Sequence, residues 1–166
     1  MRRRHSIGAG WRCDACKQPI AAVTEGWVEW LASEDPTGVT TLKGLRLVHR
    51  LSGGRRGRIP QRCRYYTREE FKKDRSIVEG LPLDRFTGPD GLVLLLSLIA
   101  EHELPTDELL ELVKRLQVPG YEDARELFGP AISQGVVAPS IARGYYLQCE
   151  IQDVLKWATT KEFRAA

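Results

Sequence analysis

The sequence predicts an α+β fold in two parts: a small β-hairpin module that ends in a short helix, followed by an α-helical domain. Three observations carry this. Cysteines at positions 13 and 16 are followed by His49 and Cys63 in the same half of the chain. Two strand-like segments, 26–31 and 41–49, flank a turn-rich stretch between them. Beyond residue 91, apolar residues recur at helical spacing.

The first element is Cys13-Asp14-Ala15-Cys16. Two cysteines separated by two residues can bend around one metal ion as thiolates, and a third thiolate with an imidazole completes a tetrahedral Cys₃His set. The same spacing serves thiol–disulfide exchange, but a redox pair follows a hydrophobic strand and opens a helix. Here residues 2–10 are basic and glycine-bearing, and Pro19 follows closely. The pattern favours zinc, held by Cys13, Cys16, His49 and Cys63, over redox chemistry or unligated cysteines. His5 is the next substitute ligand. Cys149 reads as a small buried apolar residue and His102 as a surface or helix-end histidine.

Segments 26–31 (GWVEWL) and 41–49 (TLKGLRLVH) have the composition of paired strands, and 33–38 (SEDPTG) supplies the turn. This hairpin returns His49 towards the cysteine pair. Trp11, Trp27 and Trp30 invite comparison with base-stacking platforms, but a small module has few other large apolar residues, so at least two belong to its core. Residues 50–62 read as a basic, glycine-bearing loop between the last two ligands. Its length is tolerable, because each doubling of a loop costs only about 0.6 kcal/mol. Thr67-Arg68-Glu69-Glu70 is a capping-box pattern that starts a short helix through Lys73.

A cysteine knuckle, a hairpin and further ligands ahead of a helix, spanning about 11–75, resemble a treble-clef-type zinc finger; the wide His49-to-Cys63 spacing departs from the usual pattern. The resemblance implies one structural zinc at Cys13, Cys16, His49 and Cys63. Such fingers serve DNA binding, protein binding and some nucleases, so the likeness selects no function.

Charge narrows the choice. Residues 1–75 carry 17 Lys and Arg against 8 Asp and Glu, a net +9, whereas residues 76–166 carry 8 against 14, a net −6. Arginine forks suit phosphate oxygens. The candidate nucleic-acid contacts are Arg46, Arg50, Arg55, Arg56, Arg58, Arg62 and Arg64, with DNA the leading ligand. The competing reading of such a charge run is a solvated face with no ligand.

The proline- and glycine-rich stretch 79–91 coincides with the change of sign and reads as a linker, giving a basic module over 1–78 and an acidic helical domain over 92–166. The apolar run 92–100 is too short to span a bilayer and reads as a buried helix. A second helix follows Thr106, with Leu109, Leu110, Leu112, Val113 and Leu116 on one face, and ends at 117–120. A third is expected over 121–128, stopped by Gly129-Pro130, and a last one places Leu147, Ile151, Val154, Leu155 and Ala158 together. The two helices around Pro119-Gly120 have the outline of a helix-turn-helix. The second, however, carries three acidic residues against one arginine, which a phosphate-lined groove repels. The acidic half suits a protein partner or self-association instead.

At 42% hydrophobic and 28% charged, the 166-residue chain has an ordinary globular composition, with no apolar leader after its first arginines. A cytoplasmic protein without membrane partners is expected. No phosphate-binding glycine loop, nucleophile elbow or His-rich metalloenzyme motif stands out, so no enzyme activity is expected, a zinc-finger nuclease included. The resulting expectation is a zinc-stabilised nucleic-acid-binding protein, a small regulator, with a helical protein-interaction domain. The alternative is an adaptor that binds only proteins.

Overall fold

The structure, a computed structural model, describes residues 10–50, 63–65, 76–142 and 144–164. It is α+β, with two small antiparallel sheets and five α-helices among the described residues. The chain divides into two compact units, Gly10–Gln117 and Val118–Ala166.

In the first unit, β1 (Trp11–Arg12) pairs antiparallel with β2 (Pro19–Ile20), Trp11 opposite Ile20. The expected hairpin is present as β3 (Gly26–Glu34) and β4 (Thr40–His49), longer than predicted at the turn end. Its turn closes on Asp35, whose Oδ1 accepts from the Thr37 amide (2.8 Å), the Thr37 hydroxyl (2.6 Å) and the Val39 amide (3.0 Å). The Thr37 hydroxyl and these amides hold the Asp35 carboxyl below its ordinary pKa.

β5 (Ile77–Pro82) lies along the other side of β3, giving the order β4-β3-β5. Val28 through Ala32 of this central strand are all buried instead of alternating, so both faces of the sheet are covered along that stretch. A bulge between Glu29 and Leu31 interrupts the register with β4. Trp27 lies against β5 at Gly80: a Cβ there would fall 2.5 Å from the Trp27 Nε1 and 2.4 Å from the Val28 carbonyl oxygen, so the close approach requires glycine. Trp30 is buried, and Trp11 and Trp27 pack partly buried against the same core, where at least two of the three were expected.

Residues 79–91, expected as a linker, form the end of β5, a 3₁₀ turn at Leu83–Phe86 and the first turn of α1 (Gly88–Glu101). Leu83 and Phe86 are fully buried. The prolines and glycines here make tight turns inside a packed body, not a spacer. α1 and α2 (Thr106–Gln117) therefore belong to the unit that holds the sheet: Leu95, Leu104, Leu109 and Leu112 share one core with Cys13, Val28, Leu47 and Cys63. Charge sign changes along the chain near residue 76, but the compact unit continues to Gln117. α1 is buried on one stripe only; Val93 and Leu96, within the run expected to be buried, are 63% and 54% exposed. His102 caps α1 in the left-handed region (φ 56°) and is exposed, a helix-end histidine as predicted.

In the second unit, α3 (Tyr121–Ala124), α4 (Phe128–Ser133) and α5 (Gln148–Arg164) enclose Tyr121, Ala124, Phe128, Ala131, Ile151, Val154 and Leu155. Tyr146 stacks on Phe128 with ring centroids 3.6 Å apart. Gly129-Pro130, expected to stop a helix, instead opens α4. Proline is tolerated there because amides in the first helical turn have no carbonyl partner to lose. Leu147 precedes α5 and is exposed, and Cys149 is exposed where a buried residue was expected. The helix expected over 67–73 lies outside the described residues. Among the described residues no helix is long and apolar enough to cross a membrane.

Two cores predict two separable effects. Leu112→Ala, deleting a side chain 3% exposed in the first, should cost about 2–5 kcal/mol and speed hydrogen exchange in β3 and β4 as well as α2. Ile151→Ala should have a comparable cost confined to α3–α5. Faster exchange in both units from either variant would show that the cores are one.

Candidate metal centre

The knuckle is built by its backbone. The Cys13 amide donates to the Gln18 carbonyl (3.0 Å) and the Lys17 amide to the Cys13 carbonyl (2.9 Å), with Lys17 itself left-handed at φ 61°. Gly10 is also left-handed (φ 88°), and a Cβ on it would lie 2.0 Å from the Ile20 carbonyl oxygen, so glycine alone permits the β1–β2 closure.

Asp14 docks this turn on β4. Its amide donates to the Leu47 carbonyl (2.8 Å), and the Leu47 amide donates back to Asp14 Oδ2 (2.7 Å). The same Oδ2 accepts from Arg115 Nη1 at 2.8 Å, while Arg115 Nη2 donates to the Arg12 carbonyl at 2.9 Å. Arg115, on α2, is 6% exposed and clamps the knuckle from the helical side.

His49 ends β4, opposite Gly26 at the start of β3. Its Nε2 lies 3.2 Å from the Pro19 carbonyl, which only accepts, so Nε2 is the donor there and Nδ1 is the nitrogen turned towards the sulfurs. Nδ1 stands 3.4 Å from Cys16 Sγ and 3.7 Å from Cys63 Sγ. The donor atoms of Cys13, Cys16, His49 and Cys63 all lie within 4.8 Å of one another, and all but Cys16 are buried. A tetrahedral ion with arms of about 2.1–2.3 Å requires edges of about 3.6–3.8 Å. The two Nδ1–Sγ separations are close to those edges, so the four side chains can close on one metal ion, and the sequence expectation for their convergence is met. The described residues do not include His5, and Cys149 is not part of the cluster.

Burial pushes the Cys16 thiol above its ordinary pKa; it does the same, more strongly, to Cys63, where the charge of Cys13 adds to it. Cys16 and Cys63 thus resist ionisation unless a cation accompanies them.

A second polar cluster surrounds Glu29, which is fully buried in β3. Its Oε1 accepts from Arg46 Nε (2.9 Å), Arg46 Nη2 (2.7 Å) and the Tyr65 amide (3.0 Å), and its Oε2 from Arg64 Nε (3.2 Å). Two of the arginines expected to reach nucleic acid, Arg46 and Arg64, are thus turned onto a buried carboxylate, with side chains 11% and 13% exposed. Arg50 is exposed, its guanidinium 5.7 Å from the Trp27 ring. Arg55, Arg56, Arg58 and Arg62 lie outside the described residues. The sequence reading missed Asp14, Arg115 and Glu29; for Glu29 a signal existed, since the hairpin register sets it opposite Arg46.

Two outcomes follow for metal uptake. His49→Ala and Cys63→Ser should each abolish tight binding, whereas Cys149→Ser should leave it intact, as read by metal content after gel filtration. Because the raised thiol pKa values keep protons on the metal-free site through neutral pH, binding must displace them, and affinity should rise with pH. A competition titration should give about tenfold per pH unit for each proton displaced, and a flat profile would contradict thiolate ligation.

Comparison with protein-family models, curated proteins and solved structures gave no match, so the centre is defined by its own geometry.

Proposed function

We propose that the unit Gly10–Gln117 is a zinc-stabilised module that binds nucleic acid, DNA foremost, and that the metal is structural. The observation that carries the metal reading is the convergence of three cysteines and the Nδ1 of His49 within 4.8 Å. Zinc suits a set of three sulfurs and one imidazole better than an oxygen-seeking ion does, and four protein ligands leave no position for a substrate. This reading assigns the chain no enzymatic activity.

The nucleic-acid part rests on a local excess, the net +9 of residues 1–75; over residues 10–117 as a whole, 17 Lys and Arg nearly balance 16 Asp and Glu. With Arg46 and Arg64 engaged by Glu29, the reading places phosphate contact on Arg50 and on the arginines at 55, 56, 58 and 62. A small cytoplasmic regulator is the role that fits. A protein-binding adaptor is the second reading, favoured by the apolar side chains of Val93, Leu96 and Leu110, which are 63%, 54% and 48% exposed on α1 and α2.

Replacing Arg55, Arg56 and Arg58 together with Ala should weaken binding to unrelated duplexes and flatten the dependence of log K on log salt by roughly 0.9 per lost contact. Unchanged affinity and slope would favour the adaptor. Chelation should also raise hydrogen exchange through α1 and α2, since they share a core with Cys13 and Cys63, and leave α3–α5 protected. Retained protection in α1 and α2 would contradict a structural metal.

A further inference from the structure

We propose that Glu29 is a positioning residue of the metal centre, which holds Cys63 at its ligand position through Arg46, Arg64 and Tyr65. This rests on the reading of the four-residue cluster as a metal site and adds to it the means by which its last ligand is held in place.

Cys13 and Cys16 are fixed by the knuckle and His49 by the end of β4, but Cys63 belongs to no strand or helix. Its surroundings are organised by Glu29 instead. Arg46, bound to Glu29 Oε1, also donates from Nη2 to the Cys63 carbonyl at 3.0 Å. The next two residues meet the same carboxylate, Arg64 through its side chain and Tyr65 through its amide. The Arg46 guanidinium lies 3.3 Å from the Tyr65 ring centroid, and the Tyr65 hydroxyl donates to the Gly44 carbonyl at 3.0 Å. Residues 63–65 are thus held at three successive positions by groups that converge on one carboxylate.

The chemistry requires a carboxylate at position 29. Four donors meet its two oxygens, three on Oε1 and one on Oε2. An amide in its place offers one oxygen and turns its NH₂ towards a guanidinium, donor against donor, so at least one arm must release. The bulge next to Glu29 marks the place where β3 departs from regular pairing with β4. Groups one shell outside a metal commonly alter its affinity by 10–100-fold when replaced, and Glu29 is placed to act in that way on Cys63.

The test compares wild type, Glu29→Gln and Arg46→Lys in the full chain, with zinc affinity from chelator competition and the ligand set from cobalt(II) absorption. Arg46→Lys keeps a positive charge but loses the fork that joins Glu29 to the Cys63 carbonyl. Glu79→Gln serves as control, removing a carboxylate that accepts from Trp30 Nε1 on the same sheet. Glu29→Gln should lower zinc affinity by about 10–100-fold and reduce the thiolate-to-cobalt charge-transfer band towards that of a two-thiolate site. Arg46→Lys should move both in the same direction, and Glu79→Gln neither. A purely structural role for Glu29 would lower stability but leave the three-thiolate spectrum intact. Wild-type affinity and spectrum in both variants would overturn the proposal, and should Glu29→Gln not fold, the Arg46→Lys result decides. A wild-type protein that takes up neither zinc nor cobalt overturns the metal reading and this proposal together.

Discussion

Three sulfurs and an imidazole gathered into a buried space within 4.8 Å are the constraint on which the first unit depends. As thiols they are poor hydrogen-bonding partners for one another, and as thiolates they repel. A dication resolves both conflicts at once. The four side chains come from the knuckle, the end of β4 and the segment at Cys63, so whatever holds them together also fixes the relative placement of the sheet and the β1–β2 pair. α1 and α2 pack on the same core.

Two buried ion clusters brace this arrangement from opposite directions. Arg115 reaches from α2 to Asp14, and Arg46 and Arg64 converge on Glu29. Charges this deeply placed need partners: removing one member of such a pair commonly costs about 3–5 kcal/mol, because the survivor stays buried. Part of the basic excess of residues 1–75 is therefore directed inward. A count of arginines overstates the charge offered to a ligand.

The knuckle, the hairpin and its turn are legible in the sequence because their signals are local: CxxC, a proline-glycine turn and flanking β-branched and aromatic residues. The four metal-ligating candidates are legible because few other residues have their chemistry. Less local facts are not. That α1 and α2 join the sheet depends on where Leu95, Leu109 and Leu112 pack, and helical periodicity gives the face of a helix but not its partner. Gly129-Pro130 reads as a stop, yet the same pair fits the first turn of a helix equally well. Arg115 looks like an ordinary last-turn cation until α2 is set against the knuckle. Glu29 interrupts an apolar strand; the hairpin register hints at Arg46, but the convergence of Arg64 and Tyr65 on the same carboxylate comes from another part of the chain.

The contact between Asp14 and Arg115 joins residues 101 positions apart. Pairings of such long range form late, since the chain must close a large loop before they contribute anything. During synthesis the cysteine knuckle emerges far ahead of α2, and until α2 arrives Asp14 lacks its cation and the core lacks Leu109 and Leu112. A nascent chain that has passed Cys63 but not Arg115 has all four candidate ligands while the core still lacks the α2 side chains that cover it.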